Sequence, residues 1–243
     1  MLSHDEDPVV AEFDRTSRRE FVADVGRLAS AVALAACVTP LPAHGLASPT
    51  DHPSTSPGDW DLSWVDRLSA ASDRAVFDWP GIGDPADPIV LEIAERYLDN
   101  CEAAYGSKRY DARVVLNIRT QAVPIALSDA AWERFALGVE YNLKDPFTQA
   151  PAARNPFWHR APDPAPGVRL PTLADLVQRG AVVLVCDLAL GRLATRLAAK
   201  TARHPDDVHR ELRSSFIPAA VSVPSGIFGL AKAQNAGCAL VRI

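Results

Sequence analysis

Ala181-Val182-Val183-Leu184-Val185-Cys186-Asp187-Leu188-Ala189 is the stretch on which the fold turns. Its apolar run follows Arg179-Gly180 and passes straight into helix-forming residues, so it reads as a strand buried on both faces that feeds a helix. Strands of this kind belong to parallel sheets covered by helices. Cys186 then stands at a strand's carboxyl end, the edge where loops part into a crevice and helix N-termini aim their unpaired N–H groups.

The flanking segments alternate in the same manner. Ala75 to Trp79 is a β-rich strand closed by the Pro80-Gly81 turn. From Pro88 to Tyr105 the residues Ile89, Ile93, Ala94, Tyr97, Cys101 and Ala104 recur at helical spacing, which puts Cys101 on a buried face as a small hydrophobe. Arg113 to Ile118 is a second strand, Thr120 to Leu127 a loop, and Ser128 to Leu137 a helix capped by Ser128. Thr172 caps a short helix that Gly180 ends. Leu188 to Lys200, Pro205 to Ser214 and Ile227 to Asn235 read as helices, Ala219 to Val223 and Cys238 to Ile243 as strands. Such alternation predicts a three-layer α/β/α fold with a mainly parallel sheet of about five strands and right-handed crossovers. Residues 138–171 are the exception, an insertion loop holding six of the twenty prolines within 151–171.

With 243 residues, 48% hydrophobic and 23% charged, the chain has room for one good-sized domain plus appendages. Its net charge is -5, but residues 1–47 hold seven acids and four arginines, leaving 23 acids against 21 bases, a net of -2. That balance does not point to nucleic acid or an anionic membrane as partner. Residues 1–47 read as an export signal. Ser17-Arg18-Arg19-Glu20-Phe21-Val22 resembles a twin-arginine motif, and Leu28 to Val38 is an apolar region too short to span a bilayer, which takes roughly 20 residues. An amphipathic helix of the folded protein is the plainer alternative. Two processing outcomes are open: cleavage before Ser48, giving a soluble periplasmic or extracytoplasmic protein, or lipidation of Cys37 in the lipobox-like Leu34-Ala35-Ala36-Cys37, giving a lipid-anchored one. Residues 48–59 form a Ser/Pro/Thr-rich disordered linker, and 60–243 the domain.

Common chemistries are missing. Gly81-Ile82-Gly83 lacks the third glycine of a dinucleotide fingerprint, no lysine follows a glycine run, and no Cys-x-x-Cys or Gly-x-Ser-x-Gly occurs. His204 and His209 are five apart and share no helical face, so neither a metal site nor a cofactor is implied. Three cysteines, Cys101, Cys186 and Cys238, remain beyond Cys37; an odd number leaves at least one thiol outside any intrachain disulfide. Cys186 is the one whose position predicts chemistry, since a thiol at a helix N-terminus is favoured as thiolate. Asp187 opposes this if its carboxylate points the same way, and free cysteine is commonly just packed. Arg119 and Thr120, after the second strand, are candidates for the thiol's surroundings. Arg154, Trp158 and His159, in the insertion, are candidates for a substrate-facing lid.

Several motifs together resemble the DsrE/DsrF-like family: Arg179 to Cys186 with Ala189 and Gly191, Phe216-Ile217-Pro218-Ala219, Val223-Pro224-Ser225-Gly226-Ile227, and Gln234-Asn235-Ala236-Gly237-Cys238. The match runs in element order from Ala75 to Ile243. The resemblance implies a small α/β domain assembled into homo-oligomers and a sulfur-relay role, in which the cysteine matching Cys186 carries sulfur as a persulfide. The chain departs from that pattern in its export signal, its insertion, and Gly191-Arg192 in place of an arginine-glycine pair. Two function classes follow. One is a thiol-based sulfur carrier or sulfurtransferase working with a sulfur donor or acceptor protein. The other is a non-catalytic module that binds a small ligand or partner outside the cytoplasm and merely buries Cys186.

Overall fold

A computed structural model describes residues 60–106, 111–159, 167 and 169–243; the segments expected to be an export signal and a linker, with Cys37, lie outside the described residues. In chain order the elements are α1 (Ser63–Ser69), β1 (Asp73–Trp79), α2 (Ile89–Tyr105), β2 (Ala112–Ile118), a 3-10 helix (Thr120–Ala126), α3 (Asp129–Arg134), α4 (Leu137–Glu140), α5 (Leu173–Gln178), β3 (Val182–Cys186), α6 (Asp187–Thr201), α7 (Pro205–Ser214), β4 (Ala220–Val223), α8 (Gly226–Asn235) and β5 (Ala239–Val241). The five strands form one sheet in the order β4-β3-β2-β1-β5, with every pairing parallel. This is the three-layer α/β/α fold that the alternation predicts.

The sheet has no polar face, and β3 shows why. Val183 and Val185 join the larger core, against Leu91 and Leu98 of α2, Trp132 of α3, Leu176 of α5, Leu193 of α6 and Leu212 of α7. Val182 and Leu184 join the smaller core, under Trp64 and Leu68 of α1 and Ala233 of α8. All five strand residues are buried, so the continuous apolar run is what the two-sided cover requires.

From β1 the chain walks outward through β2 and β3 to β4, its connecting helices packed on the larger core. It then crosses the other face through α8 to place β5 beside β1. A right-handed crossover reversing its direction has to use the opposite face, which is why α8 stands apart from the other connecting helices. Strand order therefore reverses between β1 and β5.

Local differences from the expected elements have local causes. The segment Thr120 to Leu127 is a 3-10 helix up to Ala126, with Pro124 inside it, rather than an open loop. The helix expected over 128–137 breaks at Ala136, whose φ of 47° is left-handed and which is the N-cap of α4. Ser128 occupies the N-cap position without a side-chain bond; its backbone N–H donates to the Ser215 carbonyl at 2.8 Å. Thr172 and Asp175 do form a capping box, and Pro205 begins α7. α1 was not predicted; it buries Trp64 and Leu68, four apart on one face. The last strand is limited to Ala239–Val241.

The described part of the insertion is held to the domain. Fully buried Asn155 donates Nδ2 to the carbonyls of Ile125 (2.8 Å) and Leu127 (2.7 Å) and accepts from the Phe157 N–H at 3.0 Å. Gly138 packs so closely on Ala152 that a Cβ there would fall 2.3 Å from its carbonyl oxygen. Among the described residues no helix is long and apolar enough to cross a membrane.

Candidate functional site

The carboxyl edge of the sheet gathers the chemistry. β3 ends in Cys186, which takes the N-cap position of α6 with extended backbone (φ -68°, ψ 109°) and no side-chain capping bond. Its sulfur thus lies at the positive end of a fifteen-residue helix. The residue is only 7% exposed.

Asp187, the first residue of α6, turns its carboxylate away to a cluster of its own. Oδ1 accepts from the Ser222 hydroxyl at 3.2 Å, meets His209 Nε2 at 3.2 Å and lies 3.7 Å from Arg213 Nη1. The Arg213 guanidinium stacks 5.0 Å from the centroid of Trp60. Burial pushes the Asp187 carboxyl up, but the hydrogen bond and charge of His209, then Arg213 and Ser222, outweigh it and hold the group below the usual carboxylate range. Its charge is answered on the side of α7 and β4.

A second ion pair sits at the ends of β1 and β2. Arg119 grips Asp78 as a fork, Nε to Oδ1 and Nη2 to Oδ2, each at 2.7 Å, while Asn117 Nδ2 donates to Asp78 Oδ1 at 3.1 Å. The hydrogen bond from Arg119 dominates the lowering of the Asp78 carboxyl; burial opposes it, and Asn117 and the charge of Arg242 add to it. The same bond to Asp78 raises Arg119, burial lowers it, and the charge of Asp78 raises it further, with Cys186 near enough to the guanidinium to add to the effect. The Arg119 stem lies against Gly226, the first residue of α8, where a Cβ would sit 2.7 Å from Arg119 Cβ. Asn117 Oδ1 is buried with no partner; a Cβ on Gly229 would come within 2.9 Å of it.

The candidates from the sequence divide between two places. Cys186 and Arg119 share the carboxyl edge. Thr120 is beside them in a left-handed conformation (φ 50°), its hydroxyl donating to the Pro80 carbonyl, which closes the turn after β1 onto β2. Arg154 and His159 belong to a separate cluster on α3: Asp129 Oδ2 accepts from Arg154 Nε at 3.0 Å and meets His159 Nε2 at 2.6 Å. Trp158 is half-buried against the larger core. Arg154 and His159 line a cavity of ≈ 60 Å³ with Phe147, which is 64% exposed. Asp78, Asn117 and Ser222 were not singled out in the sequence, and His209 was weighed there only as a metal ligand with His204. Asp78 and Asn117 carried a signal, since each interrupts an apolar strand near its carboxyl end; His209 carried none, because only tertiary packing brings α7 to Asp187. Among the described residues no group of three or more His, Cys, Asp or Glu side chains is placed to hold a metal ion.

Leu188, 43% exposed, and Ile227, 66% exposed, open α6 and α8 beside this edge. No protein-family model matches the chain, and no curated protein sequence matches it. Among solved structures it is similar to a protein of unknown function from Methanobacterium thermoautotrophicum, 12% identical, with a TM-score of 0.35, over 71% of this chain and 100% of that one.

Proposed function

We propose that the protein is an exported DsrE-like sulfur carrier or sulfurtransferase that holds a persulfide on Cys186. The observation that carries this reading is the setting of the thiol: N-terminus of α6, within electrostatic reach of Arg119, with the neighbouring carboxylate tied to His209, Ser222 and Arg213. A helix N-terminus and a guanidinium both stabilise negative charge placed beside them, here the sulfur anion that attacks and later leaves in the exchange. The thiolate attacks the outer sulfur of a donor persulfide R–S–SH. The Cys186 Sγ–S bond forms as the donor S–S bond breaks, R–S⁻ leaves, and Cys186 carries S–SH with no net oxidation. A partner's thiolate then takes the outer sulfur by the same exchange, returning Cys186 as thiolate. The exposed Leu188 and Ile227 suit contact with such a partner, donor or acceptor. The residues of 1–47 favour twin-arginine export to the periplasm, and the family resemblance favours a homo-oligomer.

Incubation of the folded protein with cysteine persulfide, followed by mass spectrometry, should add one sulfur to the wild type and none to Cys186→Ser. Equal loading of the two proteins, or none on either, ends the proposal.

A second reading rests on one observation, the 7% exposure of Cys186. In it the protein is a non-catalytic extracytoplasmic binding module, and the thiol is packing. Iodoacetamide separates the two: modification of Cys186 before unfolding supports the carrier, and modification only after unfolding supports the module.

A further inference from the structure

The sheet's opposite, amino edge holds a cleft of ≈ 660 Å³ between the end of α1, the turn after α5 and the starts of β2, β3 and β4. That volume suits a metabolite-sized ligand, for which pockets run roughly 300–1,000 Å³. Three arginines from three separate elements line it, Arg67, Arg113 and Arg179, together with the amide of Gln178, and its described lining contains no carboxylate. Two of the arginines are anchored by acids outside the lining. Arg113 Nη1 meets Asp111 at 3.0 Å and the Ala112 carbonyl at 3.1 Å, both through the same nitrogen; Arg179 is turned to α2, Nη1 meeting Asp99 at 2.6 Å and Nη2 lying 3.9 Å from Glu102, so that its stem rather than its charge lines the cleft. Such anchoring fixes the Arg113 guanidinium before any ligand arrives. The Arg113 side chain also crosses the turn at Gly180, whose Cβ position would lie 3.9 Å from its Cδ and Nε. The floor is apolar, formed by Val182 of β3 and Val221 of β4, with Ala219 beside them in a left-handed conformation (φ 67°) that favours glycine. The C-terminal carbonyls of α1 and α5 account in part for Arg67 and Arg179. They do not account for Arg113, which rises from β2.

We infer that this cleft binds a small organic anion, its oxyanion head held by Arg67 and Arg113 and its apolar body lying over the starts of β3 and β4. Guanidinium forks match the paired oxygens of carboxylate and phosphate, and the apolar floor selects an anion with a hydrocarbon portion over a bare ion. The site is separate from Cys186, at the far end of the same strands.

Isothermal titration calorimetry on the intact protein tests it with four probes: hexyl phosphate, hexanoate, hexanol and inorganic phosphate. Binding of hexyl phosphate or hexanoate, with hexanol and inorganic phosphate at least about tenfold weaker, is expected. R113Q and R67Q should each weaken the bound anion about tenfold or more, while Cys186→Ser leaves it unchanged. Arg67 is exposed on α1, so R67Q keeps the fold whether or not R113Q does. No binding of either anion, hexanol binding as well as they do, or full binding in R67Q overturns the inference.

Discussion

Asp187 follows Cys186 directly, and a carboxylate one residue from a thiol opposes its ionisation unless the charge is answered elsewhere. Here His209, Ser222 and Arg213 answer it, with Asp187 and His209 respectively 7% and 3% exposed. Removing one partner from a buried pair strands the other, so Asp187→Asn should lower stability at neutral pH by about 3 kcal/mol. The folded carboxyl titrates below its unfolded value of about 3.9. Its contribution is therefore complete above that pH and is lost as pH falls through the lowered value. Urea unfolding measured from about pH 7 down to about pH 3 should show an acid loss of stability in the wild type that is shallower in Asp187→Asn. Identical acid limbs in the two proteins would mean that the cluster does not hold the carboxylate ionised.

At the scale of elements, α8 is what fixes Arg119. Ser225 caps the helix, accepting from the Phe228 N–H at 3.1 Å, and Gly226 lets the first turn settle on the Arg119 stem. Alanine ordinarily improves a helix by about 1 kcal/mol over glycine. At Gly226 the added Cβ would meet Arg119 Cβ at 2.7 Å and Cδ at 2.8 Å, and the first of these is fixed by the backbone between β2 and the 3-10 helix. Gly226→Ala should therefore destabilise the protein by about 1–2 kcal/mol. It should also slow iodoacetamide modification of Cys186 by displacing the guanidinium. Thermal unfolding and alkylation rate check the two effects; a variant as stable and as reactive as wild type would separate α8 from the site. In the sequence Pro224-Ser225-Gly226 was legible as a turn before a helix, whereas the contact between Gly226 and Arg119, more than a hundred residues apart in the chain, was not.

Across the whole molecule the three described cysteines are all buried, at 8%, 7% and 6% exposure for Cys101, Cys186 and Cys238, yet their settings differ. Burial pushes the Cys238 thiol up to about 11, with Arg74 opposing. Cys101 lies in the larger core under α2, as its helical spacing predicted. Cys186 alone stands at a helix N-terminus near a guanidinium. In a Cys37→Ser chain, mass-resolved alkylation should modify Cys186 first and reach Cys101 and Cys238 only on unfolding; simultaneous modification of all three would remove the distinction. Periodicity and the buried run at 182–186 determined by themselves the alternation of strands and helices, the parallel sheet and the strand-end position of Cys186, because two-sided burial and helical spacing are written in neighbouring residues. Only the tertiary structure decided that Asp78 grips Arg119, that His209 and Ser222 draw Asp187 aside, and that Arg154 and His159 gather on Asp129 instead. Those contacts join residues from 22 to 41 positions apart, and their partners are chosen by strand order and helix packing, which no local pattern encodes.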